Sequence, residues 1–282
     1  MAAALCAGLG MTSQANAELA YAITNTSSLI TFDTNAPGTL LSGSFLSGLQ
    51  QNETIVGLDI RPATGQIYAL GSTSRLYTLS TTGVATQVGA PFSTSLNGSS
   101  FGFDFNPTID RSCVVSDVDQ NLVLNPITGA VQLVATPLAY RAADDNAGVN
   151  PNVVHSAYTN NFLGATASQL YGVDVGLNTL VKQANNDGLL DTVGPIGADV
   201  TDVGGFDISG ATGNAYLIVK DALESKSMFW TIDLATGAGA GGFDIGGGAT
   251  VTAFTVAAVP EPTAIAALVP LAGLLLRRRH SA

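Results

Sequence analysis

Three aspartates occupy the same position of a repeated sequence motif, which makes them the first candidates for chemistry. The motif is Gly-[Leu/Phe]-Asp-[Ile/Phe], and its aspartates are Asp59, Asp104 and Asp207. Equivalent positions of a cyclic repeat face one axis, and a ring of carboxylates there suits Ca²⁺, which prefers several oxygen ligands. The alternative is that each carboxylate accepts hydrogen bonds from backbone amides of its own repeat unit. Repetition in every regular unit favours this structural role, and the metal site is the second interpretation.

A second group of polar side chains lies in the longest predicted loop, Ala139 to Asn152. This loop contains Asp144, Asp145 and Asn146, and Arg141 is close enough in sequence to pair with them. Long loops often carry functional residues, so Asp144 and Asn146 are further ligand candidates. Nothing in the segment specifies a particular ligand.

The sequence singles out no set of residues for nucleophilic or zinc catalysis. His155 is the only histidine before His280, so a Ser-His-Asp triad would have to use it and a histidine zinc site would lack further histidines. We therefore expect His155 to be buried and bonded to backbone. The segment Asp117–Asn121 begins like a calcium loop, but an EF-hand needs glycine where Leu122 stands, so a turn is predicted.

Composition restricts the class of protein. The chain has 282 residues, of which 46% are hydrophobic and 11% charged, and this excludes disorder for most of its length. A net charge of −11 argues against nucleic-acid binding, which needs a basic surface. The 32 glycines and the few charges are typical of a β protein rich in turns.

Short apolar strands recur along the chain at a spacing of 45 to 59 residues. Most are followed by a Thr-Gly turn and a second strand, which is typical of a β-hairpin. A period in the forties built from hairpins predicts a β-propeller of about four strands per blade. The recurring segments are Leu29–Asp33, Leu76–Ser80, Asn121–Asn125, Leu170–Asp174 and Phe229–Asp233.

Five blades account for these repeats. The first repeat unit has no inner strand, and Thr250–Val256 offers one with no hairpin after it. We therefore predict that this C-terminal strand closes the ring by completing the first blade, which removes an open sheet edge. A β-sandwich is the alternative fold. The predicted blades are 19–43 with 250–256, 54–89, 99–134, 153–183 and 202–243.

Three side chains are predicted to belong to the core of the blades. Cys113 is the only cysteine after residue 6, and it aligns with Tyr68 and Tyr216 of other repeat units, so we expect a buried and unreactive thiol. Tyr171 and Trp230 fall on the apolar register of their strands, which favours packing over sugar binding.

The body of the chain, about residues 20 to 256, resembles the bacterial DUF 4394 family. The resemblance is carried by the repeated aspartate motif with its Thr-Gly turns and by the stretch from Pro137-Leu138-Ala139-Tyr140 to Ala157-Tyr158-Thr159-Asn160. No activity is assigned to that family, so the resemblance implies the fold and leaves the function open.

The N-terminal segment is predicted to be a secretory signal peptide. Residues 1–17 carry no charged side chain and end in Ala15-Asn16-Ala17, an A-x-A cleavage site. The basic residues that normally begin such a signal are missing. The predicted mature body is therefore 18–258.

The C-terminal segment, residues 259–282, resembles a PEP-CTERM sorting tail. Pro260-Glu261-Pro262 is followed by the uncharged segment Thr263–Leu276 and by Arg277, Arg278 and Arg279. Fourteen helical residues span roughly 21 Å, less than a bilayer core of about 30 Å. The resemblance implies that an inner-membrane exosortase recognises and removes this transmembrane-like helix. The alternative is a plain membrane anchor.

These observations favour an exported, non-enzymatic protein of the cell surface or extracellular matrix, with no cofactor. Its expected partners are exosortase and the secretion machinery, and extracellular polysaccharide is a candidate ligand. The alternatives are a polysaccharide-binding module or a propeller hydrolase or lyase that uses axial carboxylates with a divalent metal such as Ca²⁺.

Overall fold

The computed structural model describes residues 17–257, which form an all-β fold of five sheets. Blades 1, 2 and 3 each have four antiparallel strands, and the fourth strand of blade 1 is the last strand of the chain. The bounds in blade 1 are β1 (Leu19–Thr24), β2 (Ser28–Asp33) and β3 (Leu40–Phe45). Blade 2 contains β4 (Ile55–Arg61), β5 (Gln66–Gly71), β6 (Arg75–Leu79) and β7 (Ala85–Val88). Blade 3 contains β8 (Phe101–Asn106), β9 (Arg111–Ser116), β10 (Asn121–Leu124) and β11 (Val131–Val134).

Blades 4 and 5 complete the set, and the last strand returns to blade 1. Blade 4 contains β12 (Ala139–Tyr140), β13 (Val153–Tyr158), β14 (Leu170–Asp174), β15 (Thr179–Ala184) and β16 (Leu189–Pro195). Blade 5 contains β17 (Gly204–Ile208), β18 (Ala215–Lys220), β19 (Ser227–Ile232) and β20 (Gly239–Asp244). The final strand is β21 (Val251–Ala257). Short 3₁₀ turns lie at Asn185–Asp187 and Gly246–Gly248.

The predicted ring closure is confirmed. Strand β21 pairs antiparallel with β1, from Leu19 opposite Ala257 to Thr24 opposite Val251, and so becomes the inner strand of blade 1. The inner strands β4, β8, β13, β17 and β21 then pack on one another in an unbroken circle. The five-bladed propeller predicted from the repeats is therefore correct, and the β-sandwich alternative is wrong.

The core of the propeller is divided into five clusters, one at each interface between neighbouring blades. Alternating residues of one strand therefore face opposite neighbours. On β18, Tyr216 and Ile218 pack toward blade 1, whereas Leu217 and Val219 pack toward blade 4. Because both faces of a blade are covered, its central strands carry apolar side chains on both faces.

Blade 4 departs from its predicted extent of 153–183. Its outer strand is β16, and β12 adds a fifth strand by pairing parallel to β16. The outer hairpins of blades 2, 3 and 5 turn at Thr-Gly, where Gly83, Gly129 and Gly237 have φ between +70° and +85°. The hairpin before β16 turns instead through Asn185–Asp187 and Gly188, so the repeat pattern missed it.

The sequence predictions for the two ends lie outside the described residues. These are the signal peptide up to residue 16 and the sorting tail, with its helix 263–276 and the residues Pro260, Glu261, Pro262, Arg277, Arg278 and Arg279. Between residues 17 and 257, no helix has the length and apolar character needed to cross a bilayer.

Candidate functional site

The three motif aspartates converge at the axis of the propeller. Asp59, Asp104 and Asp207 lie on the inner strands β4, β8 and β17, and each is about 1% exposed. One carboxylate oxygen from each aspartate can be chosen so that all three oxygens lie within 4.8 Å of one another. We call these side chains the axial carboxylates. They are the only group of three or more His, Cys, Asp or Glu side chains within residues 17–257 that is arranged for a metal ion.

The axial carboxylates bind the backbone of the next blade. The Phe105 amide donates to Asp59 Oδ2 at 2.7 Å, and the Tyr158 amide donates to Asp104 Oδ1 at 3.0 Å. The prediction that they would bond amides of their own blade is therefore incomplete: the Ile60 amide, at 2.6 Å from Asp59 Oδ1, fits it, whereas the Phe105 and Tyr158 amides belong to the next blade. These bonds join blade 2 to blade 3 and blade 3 to blade 4.

The same bond joins blade 5 to the closing strand. The Val256 amide donates to Asp207 Oδ2 at 2.7 Å. Thr255 stands on β21 where the motif aspartate stands on other inner strands, and its hydroxyl lies 2.9 Å from Asp207 Oδ2 and 3.2 Å from Asp59 Oδ1. Sequence analysis missed Thr255, although Ala253-Phe254-Thr255-Val256 is a recognisable variant of the motif. Blade 4 has Ala157 at this position.

The glycines of the motif allow the inner strands to approach closely. A Cβ atom on Gly57 would lie 2.5 Å from Phe103 Cβ, and one on Gly205 would lie 2.9 Å from Phe254 Cβ. Such separations are too short for real contacts, so any side chain there would push neighbouring blades apart. Glycine at these positions therefore helps to bring the aspartates together.

His155 fills the equivalent glycine position in blade 4. It is buried, as predicted, and its Nε2 donates to the Thr201 carbonyl at 3.0 Å. Burial lowers the pKa of this imidazole, so the neutral form is favoured. The His155 side chain and the surrounding inner strands leave an axial cavity of only about 10 Å³.

Burial dominates the electrostatics of the axial carboxylates. Loss of hydration raises the pKa of Asp59 and Asp104 well above the ordinary value, and the neighbouring aspartates raise both further. Burial also raises the pKa of Asp207, to about 6. Within residues 17–257, the ion pairs of Arg61, Arg141 and Lys226 all involve other carboxylates. No basic side chain therefore neutralises the axial group.

A pocket of about 260 Å³ opens at the end of the axis where the inner strands begin. We call it the mouth pocket. Its lining comes from the starts of four inner strands and from the turn between β1 and β2, and it combines hydroxyl groups with apolar side chains. Asp202 is its only charged lining residue, and the Ser100 hydroxyl donates to Asp202 Oδ2 at 3.0 Å.

The predicted ligand residues of the 139–152 loop hold the loop in place. Asp144 accepts hydrogen bonds at 2.7 Å from both the amide and the hydroxyl of Thr192, and Asn146 Nδ2 donates to the same hydroxyl at 2.9 Å. Arg141 pairs with Asp191 at 2.9 Å, so the predicted pairing within the loop is wrong. Asp144 and Asn146 do not join the axial carboxylates.

The segment Asp117–Asn121 forms a turn, as predicted. Asp119 has φ of +63°, and its amide donates to the Ser116 carbonyl at 3.0 Å. The Ser99 amide donates to Asp117 Oδ1 at 2.9 Å, so this carboxylate secures the loop that leads to β8.

The predicted core residues are in their expected places. Cys113 is buried with a free thiol and lies opposite Asp104, as Tyr68 lies opposite Asp59 and Tyr216 opposite Asp207. Burial raises the pKa of the Cys113 thiol to about 12, which disfavours the reactive thiolate. Tyr171 is buried between blades 4 and 5, and Trp230 packs partly buried against the same cluster.

The repeat register, the motif and the observed blades agree with one family of proteins. A family model described as "Domain of unknown function (DUF4394)" matches residues 28–257. The chain belongs to the DUF4394 family. The match covers every strand except β1, so the resemblance expected from the sequence is confirmed for the body of the chain. No curated protein matches the chain.

Three solved structures are similar to this DUF4394 chain at low sequence identity. A protein from Lactobacillus plantarum is 16% identical with a TM-score of 0.39, over 84% of this chain and 70% of the other. Dihydro-heme d1 dehydrogenase NirN is 11% identical with a TM-score of 0.40, over 79% and 43%. A calcium-binding protein, regucalcin, from Agrobacterium tumefaciens is 13% identical with a TM-score of 0.42, over 72% and 68%. Likenesses this weak carry no argument about ligand or reaction.

The axial carboxylates predict that the fold loses stability as pH rises from about 4 to about 6. A pKa raised from 3.8 to about 6 means that the folded chain binds more protons than the unfolded chain in that range, so the free energy of unfolding falls as Asp207 ionises. The whole fall for Asp207 is roughly 3 kcal/mol, at about 1.4 kcal/mol per pH unit. Asp59 and Asp104 act in the same direction. Urea unfolding in metal-free buffer at a series of pH values measures this fall in the free energy of unfolding.

His155 changes the stability with pH in the opposite direction to the axial carboxylates. The Asp207→Asn variant is therefore needed as the control. The lowered pKa of His155 makes the fold more stable as pH rises toward 6.5, and this contribution is the same in both proteins. We expect the variant to lose less stability than the natural chain between about pH 4 and about pH 7. Equal losses would show that Asp207 does not titrate in this range.

Proposed function

We propose that the propeller acts by binding a ligand in the mouth pocket and does not catalyse a reaction. The observation that carries the proposal is the separation of the axial carboxylates from the open surface. They are about 1% exposed, and the axial cavity between them and the mouth pocket holds only about 10 Å³. A substrate cannot reach carboxylates in that position, whereas the mouth pocket is open and has no nucleophile bonded to a histidine.

The lining of the mouth pocket favours a small, uncharged, hydroxyl-rich ligand. Ser99, Ser100, Thr54 and Thr252 provide hydroxyl groups, and Phe101 provides an aromatic surface. No lysine or arginine lines the pocket, so an anionic ligand would find no countercharge. At about 260 Å³ the pocket is near the lower end of the range for small-molecule sites. These features fit a single sugar unit of an extracellular polysaccharide.

We expect the purified protein to bind neutral sugars on a glycan array, with a loss of at least about tenfold in affinity for Ser99→Trp. Ser99 is exposed at the pocket, so the indole would occupy the ligand space without disturbing the core. Ser93→Trp is the matched control, because Ser93 is also exposed but does not line the pocket. Absence of glycan binding by the natural chain would refute this function, as would equal binding by the two variants.

We also propose that the protein is exported and sorted by its C-terminal tail. The support comes from the order of Pro260-Glu261-Pro262, the apolar segment and the arginine cluster Arg277–Arg279. Exosortase and the secretion machinery are the transient partners, with an inner-membrane intermediate before release to the cell surface. A body that starts at Glu18 fits this processing, because the buried Glu18 carboxylate accepts a hydrogen bond from Tyr216 at 2.6 Å.

Intact-mass measurement of the protein from its native host tests the sorting proposal. We expect a mature form that has lost residues 1–17 and the C-terminal tail, because an extended Pro-Glu-Pro segment next to a membrane helix is accessible to a processing enzyme. In a variant with all three residues of this motif replaced by alanine, a longer form should accumulate in the membrane. A natural mature form that still ends at Ala282 would leave the plain anchor as the explanation.

A metal-dependent hydrolase or lyase is the second candidate function. It is favoured by the convergence of carboxylates from three blades, which such an enzyme requires. It is disfavoured by their burial, because a metal that activates water for a substrate needs an open coordination position.

A further inference from the structure

The axial carboxylates form a buried group of like charges without a cation from the protein. The ion pairs within residues 17–257 are all made by other side chains, so nothing basic offsets Asp59, Asp104 and Asp207. Buried charges in folded proteins are paired, coordinate a metal or become neutral by taking up protons. The group therefore requires protons or a bound cation.

An unpartnered oxygen shows that the group lacks one interaction, which a bound ligand would supply. Asp207 Oδ1 is fully buried and has no hydrogen-bond partner, although Oδ2 of the same carboxylate accepts from Val256 and lies 2.9 Å from the Thr255 hydroxyl. A buried acceptor without a partner is costly and rare in folded proteins. An additional ligand that accepts electron pairs from oxygen would satisfy this atom.

We propose that the axial carboxylates, together with the Thr255 hydroxyl, bind one divalent cation, Ca²⁺. Ca²⁺ binds carboxylate and neutral oxygen ligands at about 2.4 Å, so ligand atoms on opposite sides of the ion are about 4.8 Å apart. The three carboxylate oxygens lie within 4.8 Å of one another, which one such ion can span. Three carboxylates also provide enough negative charge for a doubly charged ion in a buried site.

The cation site is complete only when the ring is closed. Asp59, Asp104 and Asp207 come from blades 2, 3 and 5, and Thr255 comes from β21, the last strand to join the ring. A cation bound there would hold these blades and the closing strand together at a single point. Its role is structural, since each carboxylate is buried and no substrate reaches it.

Calcium titration of the chelator-treated full chain by calorimetry tests the proposal. We expect one Ca²⁺ per chain and a higher unfolding temperature when the ion is bound, because a ligand that binds only the folded state stabilises it. Metal analysis of the untreated protein should find the same stoichiometry. If neither Ca²⁺ nor Mg²⁺, Mn²⁺ or Zn²⁺ binds the natural chain, the proposal is wrong and the carboxylates share protons.

Two aspartate variants separate the axial site from general binding to an acidic surface. Asp207→Asn removes one ligand charge, and we expect it to weaken Ca²⁺ binding at least about tenfold. Asp145→Asn makes the same charge change at an exposed position and should bind as tightly as the natural chain. Equal weakening in both variants, or full binding by a folded Asp207→Asn variant, would overturn the assignment. None of these outcomes depends on glycan binding in the mouth pocket.

Discussion

The propeller depends on hydrogen bonds from backbone amides of one blade to an aspartate of the preceding blade. In a ring of sheets, every blade is held mainly by apolar packing, which has no direction and fixes no rotation about the axis. A carboxylate that accepts a neighbouring amide supplies that direction, and the bond is strong because the acceptor is charged or close to a charge and the surroundings are dry. Asp59, Asp104 and Asp207 each supply one such bond at 2.7 to 3.0 Å.

The interfaces between blades are not equivalent. Blade 4 has Ala157 in place of the axial aspartate, so no carboxylate bond of this kind joins it to blade 5. That interface is held by an apolar cluster, and the His155 imidazole adds its bond to Thr201 in the segment before β17. Blade 4 also has a fifth strand, β12, which extends its outer edge. The irregular blade thus differs from the others both at the axis and at the periphery.

Much of this architecture follows from the sequence, because a repeat fixes which residues are equivalent. The register that places Cys113 opposite Asp104 and the return of Thr250–Val256 to blade 1 both follow from aligning the motifs. The direction of the carboxylate bonds does not follow, since alternation along a strand defines two faces without saying which face meets the next blade. Thr255 was missed because it differs in type from aspartate, and β16 because its hairpin turns without the Thr-Gly signal.

Hydrogen exchange of three backbone amides tests the central claim most directly. If the axial carboxylates hold the blades together, the amides of Phe105, Tyr158 and Val256 are protected as fully as the central strands and exchange only when the whole domain unfolds. In the Asp104→Asn variant the Tyr158 amide should lose protection before the amides of β14 and β15 do. Rapid exchange of all three amides in the natural chain, at rates typical of exposed loops, would contradict the account.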